Sequence, residues 1–217
     1  MSSNQAIRLV CLAIALLFSV ISTRGQTSFE VTPLVGGIFE GSLKVQQPGQ
    51  AESRPELDHS FAFGAAAGLR FDTGECASCD VIEFRWMRQK TTLDLGAIAP
   101  DPSLSHPNIT IDHFVADFTH EWPLQSAHDV RPFLTVSLGA ANLSTPVESG
   151  IRFQFGVGGG VKIFLKPRLG IRIQAEYMPM VITTEGQKVV CAQVCVATVS
   201  GGLMSQFAVT AGPIFRF

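Results

Sequence analysis

Apolar and polar residues alternate along most of this chain with a period of two, the signature of strands that face two different environments. Eight such segments are bounded by turn residues: 29–39, 60–72, 81–90, 110–122, 132–142, 151–165, 168–178 and 205–217. In the second, Phe61, Phe63, Ala65, Ala67, Leu69 and Phe71 share a face, opposed by Gly64, Gly68, Arg70 and Asp72. The sixth sets Phe153, Phe155, Val157, Val161, Ile163 and Leu165 against Gln154, Gly156, Gly158, Gly160 and Lys162. The fifth is less regular, with Leu134, Val136, Leu138 and Ala140 opposing Phe133, Thr135, Ser137 and Gly139. Most segments exceed the ~5–6 residues of an ordinary globular strand and match the ~9–11 residues of a tilted membrane strand plus its rims.

The gaps between segments alternate in length. Those at 40–59, 91–109 and 179–204 are long, and those at 73–80, 123–131 and Lys166-Pro167 are short. Long loops at one end and tight turns at the other define an all-β, eight-stranded antiparallel up-and-down transmembrane barrel, with the tight turns facing the periplasm.

Alternation does not by itself say which face points outward, since a soluble eight-stranded barrel alternates too. The ring-rich face is expected to meet lipid. An eight-stranded interior is only wide enough for side chains, and 15 phenylalanines follow residue 25, of which only Phe133 and Phe164 lie off the apolar faces. Glycines mixed with both signs of charge occupy the opposite faces. Arg70, Glu83, Arg85, Asp117, Glu121, Lys162, Arg172 and Glu176 are the expected lumen charge network, because a buried charge needs a partner. That network reads either as neutralisation of a filled interior or as a narrow ion path.

Residues 1–25 read as a secretory signal peptide. Arg8 precedes an apolar core from Leu9 to Ile21, and cleavage is expected after Gly25, leaving residues 26–217 as the barrel domain. Removing Arg8 and Arg24 leaves 14 basic against 18 acidic residues, a charge of −4. That mild acidity argues against nucleic acid as a partner. Four cysteines remain: Cys76, Cys79, Cys191 and Cys195. An oxidising compartment favours local disulfides, while free thiols or a metal or redox role for Cys76-Ala-Ser-Cys79 are the alternatives. Cys76 and Cys79 fall in a short turn and Cys191 and Cys195 in a long loop at the other end, so no disulfide joins the pairs.

Catalytic and cofactor signals are poor, and neither a catalytic residue, a cofactor nor a metal is expected. His120 and Glu121 are adjacent in a strand and point to opposite faces. The glycine run Gly156-Val-Gly-Gly-Gly160 lies within a strand with no helix after it, which argues against a phosphate loop.

The last strand carries Phe207, Val209, Ala211 and Phe215 at alternate positions and ends in Phe217. This resembles the C-terminal assembly signal of outer-membrane barrels. The stretches from Phe153 to Tyr177 and from Arg131 to Ala141 resemble strands of small OmpA/OmpX-like barrels. The resemblance implies a bacterial outer-membrane location, with membrane lipid, lipopolysaccharide and the barrel-assembly machinery as partners. It implies a non-enzymatic structural or surface-interaction role through the long loops. A narrow porin-like channel is the alternative, and a lipid A-modifying enzyme the third reading. Two prolines depart from the pattern. Pro33 lies inside the first strand and Pro213 inside the last, which closure must pair, so a weakened or bulged seam is expected there.

Overall fold

The computed structural model describes residues 26–40, 45–46, 58–72, 79–92, 107–124, 129–145, 149–182, 187–191, 195–199 and 202–217. The signal peptide expected at 1–25 lies outside them, as does Cys76. The described elements are all strands: β1 Gln26–Glu40, β2 Val45–Gln46, β3 Ser60–Asp72, β4 Cys79–Thr92, β5 Asn108–Glu121, β6 Asp129–Ser144 and β7 Ser149–Lys166 come first. There follow β8 Leu169–Tyr177, β9 Met180–Ile182, β10 Gln187–Cys191, β11 Cys195–Val199, β12 Gly202–Met204 and β13 Gln206–Arg216.

Eight of these close a barrel in the order β1-β3-β4-β5-β6-β7-β8-β13, every neighbour antiparallel and β13 returning to β1. Closure leaves no free sheet edge, the condition for crossing hydrocarbon with strands. Each alternating segment of the sequence became one of these strands, with ends moved by at most three residues. The seam between β1 and β13 is in register except between Val31↔Phe215 and Val35↔Ala211, where Pro33 stands opposite Pro213 and neither has an N–H to donate. The tight turn lies at Pro167–Arg168, and Lys166 stays in the sheet paired with Leu169. The stretch 179–204, expected to be loop, carries structure of its own. β9 and β12 pair with each other and carry the lines of β8 and β13 past breaks at Met178–Pro179 and Ser205. The hairpin β10–β11 pairs with β2, so the loops after β1 and before β13 form one small sheet.

Side chains sort by phase as the alternation requires. Phe61, Phe84, Phe118, Leu134, Val136, Phe153, Val157 and Ile173 point outward and are exposed. Arg85, Lys162, Arg172 and Asp117 are fully enclosed. A soluble protein of this size does not present such a continuous apolar exterior, so the exterior is a hydrocarbon-facing surface. The fifth strand follows the same phase: Phe133 is buried and Leu134 exposed.

Candidate functional site: the lumen

The interior is divided into two layers. Near the short-turn end it is charged. Lys162 on β7 reaches Glu30 on β1 (Nζ to Oε2, 2.7 Å) and Glu121 on β5 (2.6 Å), with Glu83 on β4 at 3.8 Å. Arg172 on β8 donates from Nη1 to both oxygens of Glu83 (2.8 and 2.7 Å), and its Nε and Nη2 donate to Gln174 Oε1. Gln174 Nε2 in turn donates to Glu176 (2.9 Å), which Arg85 holds at 2.6 Å. Arg85 also meets Asp117 (Nε to Oδ2, 3.0 Å), and Ser137 donates to Glu176. Arg70 lies 3.6 Å from Glu121 and donates to Cys79 Sγ (2.8 Å).

All eight charged residues singled out in the sequence therefore meet in one chain of contacts. Glu30 and Arg216, inward by the same phase, join that chain and bond across the closing seam (Arg216 Nε to Glu30 Oε1, 2.9 Å). The structure adds two rings. Phe133, one of the two phenylalanines off the apolar faces, lies under Lys162 (5.8 Å) and Arg172 (5.1 Å). Phe164, the other, lies under Arg216 (3.8 Å) and Arg131 (5.5 Å). An aromatic face attracts a cation by about 2 kcal/mol when both are desolvated, so these rings serve the same cations as the carboxylates. Gly160 makes room for one of them: a Cβ there would sit 2.7 Å from Phe133 Cζ. Gly156, Gly158 and Gly160 of β7 are thus lumen wall, and the space they leave is filled by Glu176 and Phe133.

Toward the long-loop end the interior turns apolar. Leu34, Ile38, Ala62, Ala66, Met87, Met178 and Ala208 form one buried cluster drawn from both sides of the seam. Ile109, Ile111, Leu143, Met180 and Met204 are buried as well. His113 marks the boundary, between Gln154 (Nδ1 to Oε1, 2.7 Å) and Gln89 (Nε2 to Oε1, 3.2 Å). Phase alone sets Leu34 inward with Glu30 and Thr32, while an inward methionine beside an outward ring, such as Met87 after Trp86, gives no alternation to detect. His113 was legible by phase, being adjacent to outward Phe114.

The exterior carries polar groups at its rims. Arg88 forks onto Asp112 (2.7 and 2.9 Å), and Trp86 Nε1 donates to the same carboxylate (3.2 Å). At the short-turn end His120 Nδ1 lies 2.6 Å from Asp80 and its ring stands edge-on to Trp122. His120 is thus oriented by a residue on the neighbouring strand and not by Glu121, which is buried inside. Cys191 and Cys195 are backbone partners in the β10–β11 register. Phe207, Val209, Phe215 and Phe217 are exposed on the outer face, and Ala211 is half-buried. Among the described residues no group of His, Cys, Asp and Glu is arranged to hold a metal ion.

A closed eight-stranded barrel with rings outside and paired charges inside defines a protein of the outer-membrane barrel class. The outer membrane protein OprG from Pseudomonas aeruginosa has the same fold, with a TM-score of 0.51 over 89% of this chain and 97% of its own at 8% identity. Weaker likenesses extend to Neisserial surface protein A (TM-score 0.44, 12% identity, 88% and 97% covered) and the Escherichia coli outer membrane protease OmpT (0.38, 8%, 90% and 98%). These describe shape and transfer no activity. No protein-family model matches the sequence, and no curated protein does.

Proposed function

We propose that this chain is a non-conducting, non-enzymatic barrel of the bacterial outer membrane. It serves the envelope as a structural element and presents its long loops to the exterior. The observation that carries this reading is the filled lumen. The charges from Glu30 to Glu176 are paired to one another, and an apolar layer covers them toward the long-loop end. Ions need a wet path or a row of replaceable ligands, and paired charges beneath a buried apolar cluster favour neither. The loops at 40–59, 91–109 and 179–204 are the natural recognition surface, since a rigid scaffold leaves its connections free to vary.

Planar-bilayer recording tests the closed lumen. The expected result is a silent membrane with the purified folded protein. Reproducible openings that vanish on charge reversal at Glu83 or Arg172 would instead establish the narrow pore. Lipid A compared between cells with and without the gene is expected to be unchanged, and a modified species would make the protein an enzyme.

A further inference from the structure

A polar pair interrupts the apolar belt on the outside of the barrel near its short-turn end. Asp80 on β4 and His120 on β5 are partners in the antiparallel register, and both side chains point outward. They are 74% and 42% exposed, and His120 Nδ1 lies 2.6 Å from Asp80 Oδ1.

Their neighbours on that face are apolar. Phe71 on β3 is the register partner of Asp80, and Leu134 on β6 that of His120. One step deeper into the belt Ile82 pairs with Phe118, and beyond them Phe84 pairs with Ala116. Leu134, Ile82, Phe118 and Phe84 are all exposed. Toward the short turn, β5 leads on to Trp122, whose ring stands edge-on to His120 at 4.7 Å. A tryptophan at a strand end marks the membrane–water boundary, because its ring is apolar and its N–H is not. The pair therefore lies at headgroup depth, with hydrocarbon on one side of it and Trp122 on the other.

At that depth a carboxylate has lost part of its water and needs positive partners. The opposite rim shows what a finished pair looks like. Asp112 is buried there, with Arg88 donating to both its oxygens and Trp86 Nε1 adding a third hydrogen bond. Asp80 and His120 meet through one atom each. The second carboxylate oxygen accepts from a cation's N–H, and the second ring nitrogen donates to an anion once the ring is protonated. Such a couple is complementary to a ligand that carries an ammonium and a phosphate close together.

We propose that Asp80, His120 and Trp122 form a headgroup site for a phospholipid bearing a primary ammonium beside its phosphate, as phosphatidylethanolamine does. The ammonium lies on Asp80 and the phosphate on His120. The acyl chains run over Ile82 and Phe118 toward Ala116, the small residue in that column. A quaternary choline group has no N–H to give Asp80, and a glycerol headgroup has no cation. The proposal rests on the membrane placement given above and is independent of the closed lumen and of the loops.

The two tryptophans of the chain, Trp86 and Trp122, give the test its reporter and its control. Trp86→Phe leaves Trp122 as the sole reporter, and Trp122→Phe leaves Trp86 at the other rim. Each folded full-length barrel is placed in vesicles of phosphatidylcholine with brominated acyl chains. Unbrominated phosphatidylethanolamine, phosphatidylglycerol or phosphatidylcholine is then mixed in. Bromine quenches indole fluorescence at short range, so relief of quenching gives the relative binding constant of the unbrominated lipid beside that tryptophan. Trp122 is expected to prefer phosphatidylethanolamine over phosphatidylcholine roughly threefold, the scale of an exposed charge pair. Trp86 is expected to show no preference. Asp80→Asn and His120→Gln, each checked for folding by the gel shift, are expected to bring the two lipids to parity at Trp122. Parity in the unsubstituted site overturns the proposal, as does an equal preference at Trp86, which would be a property of the whole bilayer. A preference for phosphatidylglycerol, or one that survives Asp80→Asn, also overturns it, since the ammonium is then not what is recognised. Failure of brominated chains to quench either tryptophan would instead overturn the membrane placement.

Discussion

The two halves of the lumen solve the same packing problem with opposite chemistry. The charged half fills a narrow space with long side chains whose stability depends on every partner being present. The other half fills it mainly with leucine, isoleucine, methionine and alanine, which need volume, around the buried amides of Gln89, Gln154 and Gln206. A buried ion pair gains little over a well-packed apolar substitute, yet losing one partner is severe. The charged layer is therefore brittle and the apolar layer forgiving.

That contrast is tested most severely by Lys162→Met. It leaves Glu30, Glu121 and Glu83 clustered without their shared cation, and a loss of about 3–5 kcal/mol is expected. The loss is read by urea unfolding followed through the gel shift between folded and boiled barrel. Should Lys162→Met cost less than the apolar change that follows, the charged layer is not the brittle one. Leu34→Ala removes volume from the apolar cluster and is expected to cost about 2–3 kcal/mol, near the low end for such changes, because adjacent methionines collapse into the space. Pro33→Val/Pro213→Val changes stability in the opposite direction, with an expected gain of about 1–2 kcal/mol for two restored ladder bonds. Backbone amides at positions 32–35 should exchange more slowly with deuterium in that variant. The smallest effect is expected from Phe133→Leu, about 1 kcal/mol, from two cations losing an aromatic face while volume is nearly kept.

The strands and their facing were legible because the two surroundings differ so sharply. Wherever an inward charge or glycine neighbours an outward ring, as at Arg85 beside Phe84, phase alone assigns both. Phase also carried the seam, since the first and last strands, each holding a proline, must pair when the barrel closes. What it does not carry is pairing in three dimensions. Glu30 joins Lys162 across 132 residues of chain, a contact that depends on strand tilt and side-chain reach. His120 is a similar case: its partner Asp80 lies on another strand, outside any local motif. Part of the apolar half of the lumen was invisible for a simpler reason. Phase set Leu34 on the inner face with Glu30 and Thr32, but Met87 after Trp86 looks the same to a period-two reading whichever way it points.

Placing Phe133 and Phe164 among the interior cations has a consequence under acid stress. As acidity rises, carboxylates gain protons and their attraction for arginine and lysine fades. A benzene ring has no proton to gain. The guanidinium of Arg216 over Phe164 and the cations over Phe133 keep that part of their support at any pH the cell envelope meets, so part of the interior's cohesion does not titrate.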